Sequence, residues 1–129
     1  MMNPVVHFEL PFDNRLRMAK FYESVFGWQL QMLGEEMGNY VLATTAESNE
    51  SGPLKPGSIN GGFYPKNPDA QCPSVVIGVG DIKKSLKGVI AAGGKVLGEP
   101  MEIAGVGLYV SFIDTEGNRL SMLQPIPRS

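Results

Sequence analysis

The sequence predicts an α+β fold of two βαβββ modules whose mixed sheets pair around a central cavity. First, one order of elements, a strand, a helix and three strands, can be read twice along the 129 residues. Second, the strands alternate apolar and polar side chains, which gives each sheet one face to bury. Third, sixteen glycines and ten prolines favour many turns and short elements. Because a small sheet with one helix covers only one face, pairing two modules buries more apolar surface.

The first module is expected over residues 1–66. Its first strand, over 4–12, directs Val6, Phe8 and Leu10 to one side and the mixed set of Val5, His7 and Glu9 to the other. An N-cap signal at Asp13-Asn14 and a stop at Gly27 predict a helix over 15–26. Its buried stripe is predicted to comprise Leu16, Ala19, Tyr22, Val25 and Phe26.

Three further strands are predicted in this module, one beginning at Trp28 and the others over 39–45 and 58–64. The polar segment AESNESGPLKPGS, residues 46–58, separates the last two. Its composition fits either a lid that closes over a ligand or a solvated surface loop. The sequence alone leaves both open.

The second module is expected over residues 72–129 and follows the same plan. A strand over 74–79 precedes an N-cap at Asp81 and a helix over 82–92, which Gly93-Gly94 closes. Strands over 95–100, 107–114 and 119–124 complete it. An overlay of the two halves places His7 on Ser74, Tyr40 on Tyr109 and Asn60 on Ser121. The chain is therefore read as a single domain, 1–129, with an internal repeat.

Composition excludes several classes of function. A net charge of -2 provides no basic surface for nucleic acid. The N-terminal segment has no signal-like pattern and no run approaches the length of a membrane span, so we expect a cytoplasmic protein that binds neither nucleic acid nor membrane. Cys72 is the only cysteine, which rules out an internal disulfide and a cysteine-based metal cluster.

Four segments carry a resemblance to a known family: VVHFEL, KFYESVFGW, VGDIKKSLKGVIAAGGKV and FIDTEGNRLSMLQ. Together they resemble the vicinal oxygen chelate superfamily of glyoxalase I, bleomycin-resistance proteins, extradiol dioxygenases and methylmalonyl-CoA epimerase. The resemblance covers nearly the whole chain. It implies the paired-module fold and frequent homodimers, and we expect a homodimer here.

The resemblance also implies four metal-ligand positions, the inward residues of the first and last strands of each module. Here they hold His7, Asn60, Ser74 and Ser121. Metal-dependent relatives usually have His and Glu there, and catalytic metals need about three His, Cys or carboxylate ligands. His7 is the only histidine, and Glu9 is the one nearby carboxylate. We therefore expect no bound metal and no cofactor, and a ligand site formed by His7, Glu9, Asn60, Ser74 and Ser121.

Individual residues admit more than one interpretation. Three roles are open for His7: a general acid or base, a hydrogen-bonding group in a ligand site, or a structural residue that holds its strand. Glu9 is a second candidate for the acid or base. The glycines that follow Asn60 allow a ligand or another backbone to approach closely, or they mark a β-bulge or a tight strand crossing. Large side chains could line the cavity but are more often core; they are Trp28, Met32, Met37, Tyr40, Phe63, Met101, Tyr109 and Met122.

Three functions follow from these interpretations. The first is a metal-free site that binds or sequesters a small molecule, as bleomycin-resistance proteins do. The second is a glyoxalase-like lyase, isomerase or epimerase in which His7 or Glu9 moves a proton. The third is a domain whose cavity is filled by side chains and which serves only in assembly. The sequence does not decide whether the chain is an enzyme.

Overall fold

A computed structural model describes residues 2–126 and confirms the α+β fold class, with two helices and ten strands in that part of the chain. The chain forms two compact units. These units differ in extent from the expected modules of 1–66 and 72–129. From here on, the first module means residues 7–73, and the second module means residues 74–126 together with 2–6. The ends of the predicted domain, residues 1 and 127–129, lie outside the described residues.

The first module contains the predicted helix and four strands, and three short elements that were not predicted: a 3-10 turn and two strands of two residues each. They are β1 (Val5–Phe12), which begins in the second module, α1 (Arg15–Phe26), β2 (Gln29–Met32), a 3-10 turn (Glu35–Met37), β3 (Val41–Thr44), β4 (Ser48–Asn49), β5 (Gly52–Pro53) and β6 (Asn60–Pro65). Its sheet has the order β2-β3-β6-β1. β6 runs parallel to β1 and antiparallel to β3.

The helix α1 begins and ends where the sequence predicts. The Asn14 side chain accepts a hydrogen bond from the backbone N–H of Arg17, and Gly27 adopts the left-handed conformation with φ of 70°. These contacts satisfy groups that the ends of a helix otherwise leave without partners. The sequence signal was sufficient here because both caps are local.

The core of the first module lies on the α1 side of its sheet. Phe8, Leu10 and Phe12 of β1 lie in a cluster with residues from the other strands and from α1, namely Met18, Tyr22, Trp28, Leu30, Val41, Ala43 and Phe63. His7 and Glu9 alternate with these β1 residues and so point to the opposite face. The predicted sidedness of β1 is confirmed from His7 to Leu10.

The predicted stripe of α1 is wrong at three of its five positions. Leu16, Val25 and Phe26 are exposed, at 75%, 57% and 58% of their surface, whereas Ala19 and Tyr22 pack inward as expected. Helical periodicity identifies a repeating stripe, but it does not choose which of two adjacent stripes meets the sheet. The neighbouring stripe through Met18 makes that contact.

The second module contains β7 (Ser74–Gly78), α2 (Ile82–Ala91), β8 (Lys95–Ile103), β9 (Gly107–Ile113) and β10 (Arg119–Pro125), in the sheet order β7-β10-β9-β8. The Asp81 side chain caps α2 by accepting from the backbone N–H of Lys84. β8 is longer than predicted, with an irregularity between Leu97 and Met101. Gly98, with φ of 91°, lies at this irregularity.

The second core lies between α2 and its sheet. Its most buried members are Val79, Ile82, Val110, Phe112 and Met122. Met122 is therefore core, whereas Met32, Met37 and Met101 are exposed. Neither helix within residues 2–126 has the length and apolar character needed to cross a membrane.

Candidate functional site

The face of the first sheet opposite α1 carries a small polar cluster. His7 and Glu9 of β1 lie beside Asn60 and Gly62 of β6 in the parallel register. Tyr40 stands two residues before Leu42, which pairs with Gly62 across β3 and β6. Residues two apart on a strand share a face, so these side chains lie on one side of the sheet.

Tyr40 connects the two predicted site residues of β1. Its hydroxyl donates a hydrogen bond of 3.0 Å to Oε2 of Glu9, and its Oη lies 3.2 Å from Nε2 of His7. Glu9 is 8% exposed, so its carboxylate is held away from bulk water. The structure thus brings His7 and Glu9 together through a residue that the sequence marked only as a possible cavity wall.

Burial affects the acid–base behaviour of His7. Desolvation of the imidazole lowers the pKa of His7 below its ordinary value of 6.5. The cause is that removal from water disfavours the charged form. At neutral pH the ring is therefore neutral, able both to donate and to accept a hydrogen bond.

Gly62 provides the space in which Tyr40 lies. A Cβ at position 62 would overlap the hydroxyl end of the Tyr40 side chain, and a Cβ at position 61 would lie 2.5 Å from the ring of Phe8. The pairing of β6 with β1 and with β3 continues without a shift through both glycines. The β-bulge interpretation is therefore wrong. The atoms nearest to an added Cβ at either glycine belong to side chains of the same module, Phe8 and Tyr40, and not to another backbone.

The side chain of Asn60 forms hydrogen bonds at the base of the segment 46–58. Its Oδ1 accepts from the backbone N–H of Thr45 at 2.9 Å, and its Nδ2 donates to the hydroxyl of Ser48 at 2.9 Å. The hydroxyl of Thr45 donates to the carbonyl of Ile59 at 2.6 Å. The segment also contains the hairpin of β4 and β5. Asn60 therefore anchors this segment rather than joining the cluster around Tyr40.

The second module carries hydroxyl groups on the sheet face opposite α2. The Oγ of Ser121 lies 2.7 Å from Oη of Tyr109 and 2.9 Å from Oγ of Ser111. Ser111 and Ser121 are buried, at 9% and 3% exposure. Ser74 stands two residues before Val76, which pairs with Ser121, so it lies on the same face. Sequence reasoning missed Ser111, which pairs directly with Ser121 across β9 and β10.

The strand registers correct the predicted overlay of the two halves. In the first module, Tyr40 lies two residues before Leu42, which pairs with Gly62. In the second module, Tyr109 lies two residues before Ser111, which pairs with Ser121. With the tyrosines superposed, Ser121 corresponds to Gly62, so its predicted match with Asn60 is wrong by two residues. The gapped overlay depended on weak identity, whereas hydrogen-bond register determines which residues are equivalent.

The donors present do not fit a metal of the kind the family resemblance implies. No group of three or more His, Cys, Asp or Glu side chains in residues 2–126 is arranged to hold an ion. The available pair, His7 and Glu9, already shares hydrogen bonds with the hydroxyl of Tyr40. Two candidate ligands are fewer than the three that catalytic metal sites use.

A groove of about 480 Å³ lies elsewhere in the first module, at the start of α1. Arg17, Phe21 and Lys66 are among its lining residues, and none of the five predicted site residues lines it. It borders the core side of the sheet, because Leu10, Phe12 and Phe63 contribute to it. Its lining includes an ion pair between Lys66 and Asp13 at 3.1 Å, both of them exposed. Because His7 and Glu9 lie on the other face of the sheet, we place the candidate site there.

Comparison with known proteins identifies a family. The model of the Glyoxalase/Bleomycin resistance protein/Dioxygenase superfamily matches residues 5–122. No curated protein sequence matches the chain significantly.

Solved structures share the fold at low sequence identity. A hypothetical protein from Bacillus halodurans C-125 is 13% identical with a TM-score of 0.70, covering 100% of this chain and 99% of its own. Methylmalonyl-CoA epimerase from Mycobacterium tuberculosis is 14% identical with a TM-score of 0.67, covering 95% and 88%. A Streptomyces coelicolor methylmalonyl-CoA epimerase variant, in complex with 2-nitronate-propionyl-CoA, is 11% identical with a TM-score of 0.71, covering 98% and 100%.

Proposed function

Because the chain belongs to the Glyoxalase/Bleomycin resistance protein/Dioxygenase superfamily, we propose that it is a small-molecule-binding protein whose site works without a metal. The observation that carries this proposal is the cluster of His7, Tyr40 and Glu9. A buried carboxylate and a neutral imidazole joined by one hydroxyl form a polar anchor of the kind that orients a ligand in a binding site. His7 and Glu9 are the proposed ligand-binding residues of this module.

The other three predicted site residues, Ser74, Ser121 and Asn60, are proposed to contribute less directly than His7 and Glu9. Ser74 and Ser121 are proposed to offer hydroxyl groups from the second module, although Ser121 already bonds to Tyr109 and Ser111. Asn60 is proposed to act on ligand binding through the segment 46–58, whose base its amide holds. The central cavity, the homodimer and the cytoplasmic location remain predictions.

Binding is tested by thermal melting of chelator-treated protein with a set of compounds typical of the family: methylmalonyl-CoA, S-lactoylglutathione and bleomycin. We expect a saturable rise in melting temperature with one of them, which His7→Ala removes and Lys87→Ala retains. Lys87 is an exposed residue of α2 and serves as the matched control. A shift that appears only after addition of zinc, nickel or manganese would contradict the metal-free site. Absence of any shift with well-folded protein would favour the assembly role.

The second candidate function is proton transfer next to a carbonyl group, as in an isomerase or epimerase. It is favoured by the lowered pKa of His7, because an imidazole that is neutral at pH 7 is in the form that accepts a proton. Glu9 is then a group that supports His7 through Tyr40.

Proton transfer is tested by exchange of the α-proton of methylmalonyl-CoA with deuterium from solvent. We expect exchange by the wild-type protein and a loss of about 100-fold or more in His7→Gln, the order of a removed general base. Binding of the compound without exchange would leave the first proposal in place and remove the second.

A homodimer is supported by the apolar side chains that α1 leaves exposed. Phe21 is 53% exposed and packs edge to face with Tyr22, and Leu16 and Phe26 are more exposed still. The ring centroids of Phe21 and Phe26 lie 6.2 Å apart, and adjoining exposed apolar side chains commonly mark association surfaces. Light scattering after size exclusion measures the mass directly: twice 13.9 kDa is expected, and the monomer mass would contradict the proposal.

A further inference from the structure

Tyr40 has only one hydroxyl proton, and its use determines the protonation of its neighbours. The hydroxyl donates that proton to Oε2 of Glu9. Its oxygen, 3.2 Å from Nε2 of His7, can then act toward the imidazole only as an acceptor. The neutral His7 ring must therefore carry its proton on Nε2 to make this bond.

The second nitrogen of His7 is left available. Within residues 2–126, Nδ1 of His7 has no hydrogen-bond partner, and with the proton on Nε2 it keeps a lone pair. No side-chain nitrogen or oxygen in the described residues is both fully buried and without a hydrogen-bond partner. Since Nδ1 has no partner, it retains some exposure to solvent. It is the part of the ring that a bound molecule can reach.

Gly62 determines whether this arrangement can form. The Tyr40 side chain crosses β6 directly over Gly62, in space that a Cβ would occupy. Any larger residue would push the hydroxyl away from Glu9 and His7. The chain Glu9–Tyr40–His7 thus depends on a glycine in a strand, where glycine is otherwise unfavourable.

We propose that Tyr40 is the positioning residue of the site: seated over Gly62 and bonded to Glu9, its hydroxyl holds His7 by Nε2–H and presents the Nδ1 lone pair to ligands that carry a hydrogen-bond donor. This deepens, and rests on, the proposed binding function. The ligand class it selects has an O–H or N–H group directed at His7. A ligand that offers only an acceptor there would face the lone pair and be disfavoured.

The test uses the ligand-free protein, so its result is independent of whether any ligand is found. His7 is the only histidine in the chain, so ¹⁵N labelling of histidine gives one pair of ring signals without assignment. At pH 8 we expect a protonated Nε2 and an unprotonated Nδ1. In Tyr40→Phe, which keeps the ring over Gly62, we expect the Nε2 proton to exchange with water about tenfold faster, as for loss of one hydrogen bond.

Changes at Glu9 provide the sharper outcome. In Glu9→Leu the Tyr40 proton no longer has its acceptor and turns to Nε2 of His7, so the Nδ1–H form rises several-fold. Glu9→Gln keeps an amide oxygen as the acceptor and restores the wild-type pattern. Tyr22→Phe, which removes a tyrosine hydroxyl on the α1 side of the same sheet, is the control and leaves the His7 signals unchanged.

Three results would overturn the proposal. One is a wild-type His7 protonated on Nδ1. Another is an unchanged tautomer ratio in folded Glu9→Leu. The third is an unchanged exchange rate in Tyr40→Phe, which decides the matter if Glu9→Leu does not fold. Failure of every compound to bind, with these spectra as expected, would contradict the proposed function and leave the role of Tyr40 intact.

Discussion

The two modules place a tyrosine at the same register position and use it differently. In the second module the Tyr109 hydroxyl meets the Ser121 hydroxyl at 2.7 Å, and the contact joins neutral groups that are buried or half-buried. In the first module the equivalent partner position is Gly62, so the Tyr40 hydroxyl passes over the strand and reaches Glu9 and His7. One missing side chain changes a structural hydroxyl pair into a link between two ionisable groups.

This difference shows where chemistry is concentrated in a repeated fold. Ser74, Ser111 and Ser121 form a face of hydroxyl groups that do not titrate at ordinary pH. The first module has the only imidazole of the chain and a buried carboxylate on its corresponding face. The second module is therefore suited to shape and hydrogen bonding, and the first to acid–base chemistry or to recognition of a polar group.

Gly62→Ser, which gives the first module the residue found at the equivalent position of the second, should have the largest effect. The new Cβ would occupy the space of the Tyr40 hydroxyl, so we expect a loss of about 2–3 kcal/mol in the free energy of unfolding, as for an overpacked core. Urea unfolding followed by circular dichroism measures it. Gly80→Ala is the control, since no atom lies within 4 Å of the added Cβ. Equal stability of the two variants would contradict the seating of Tyr40.

Removal of the hydroxyl from each tyrosine compares the two modules directly. Tyr40→Phe should cost about 2 kcal/mol, because one of the lost hydrogen bonds is to a buried carboxylate. Tyr109→Phe should cost about 1 kcal/mol, the value for a bond between neutral groups. The two free energies of unfolding come from the same urea experiment. A larger loss in Tyr109→Phe would reverse our view of which module depends on its tyrosine.

The stability of the first module should depend on pH through His7. Burial lowers its pKa in the folded protein below 6.5, so between these two pKa values the unfolded chain binds more protons. Stability therefore falls as pH decreases below about 6.5 and levels off below the folded pKa. Each tenfold difference in proton affinity contributes about 1.4 kcal/mol. Melting temperatures of wild type and His7→Gln from pH 8 to 4.5 should diverge in this sense; parallel curves would refute the desolvation of His7.

The smallest expected change in stability comes from a glycine that α2 contains and α1 lacks. Gly88 lies exposed inside α2, where an added Cβ would meet no atom within 4 Å, whereas α1 contains no glycine. Gly88→Ala should therefore stabilise the protein by about 0.5–1 kcal/mol, the difference in helix propensity. Thermal melting measures it, and a loss of stability would mean that the exposed side of α2 is covered in solution.

Much of the fold was predictable because its signals are local. Asn14 and Asp81 bond to backbone groups three residues away, so the starts of both helices could be read from the sequence. The face of β1 that carries His7 and Glu9 also followed from strand alternation. The buried side of α1 could not be read in this way, because two adjacent stripes were apolar and only contact with the sheet selects one.

The order of the main elements, their caps, the sidedness of β1 and the shortage of metal ligands could be inferred from the sequence, since each depends on neighbouring residues or on composition. The contacts of Tyr40 with Glu9 and His7, more than thirty residues away along the chain, and those of Asn60 at the base of segment 46–58 could be found only in the folded chain. They depend on strand register, because the pairing of β1, β3 and β6 brings distant residues opposite one another, and a shift of one residue would place them on the other face.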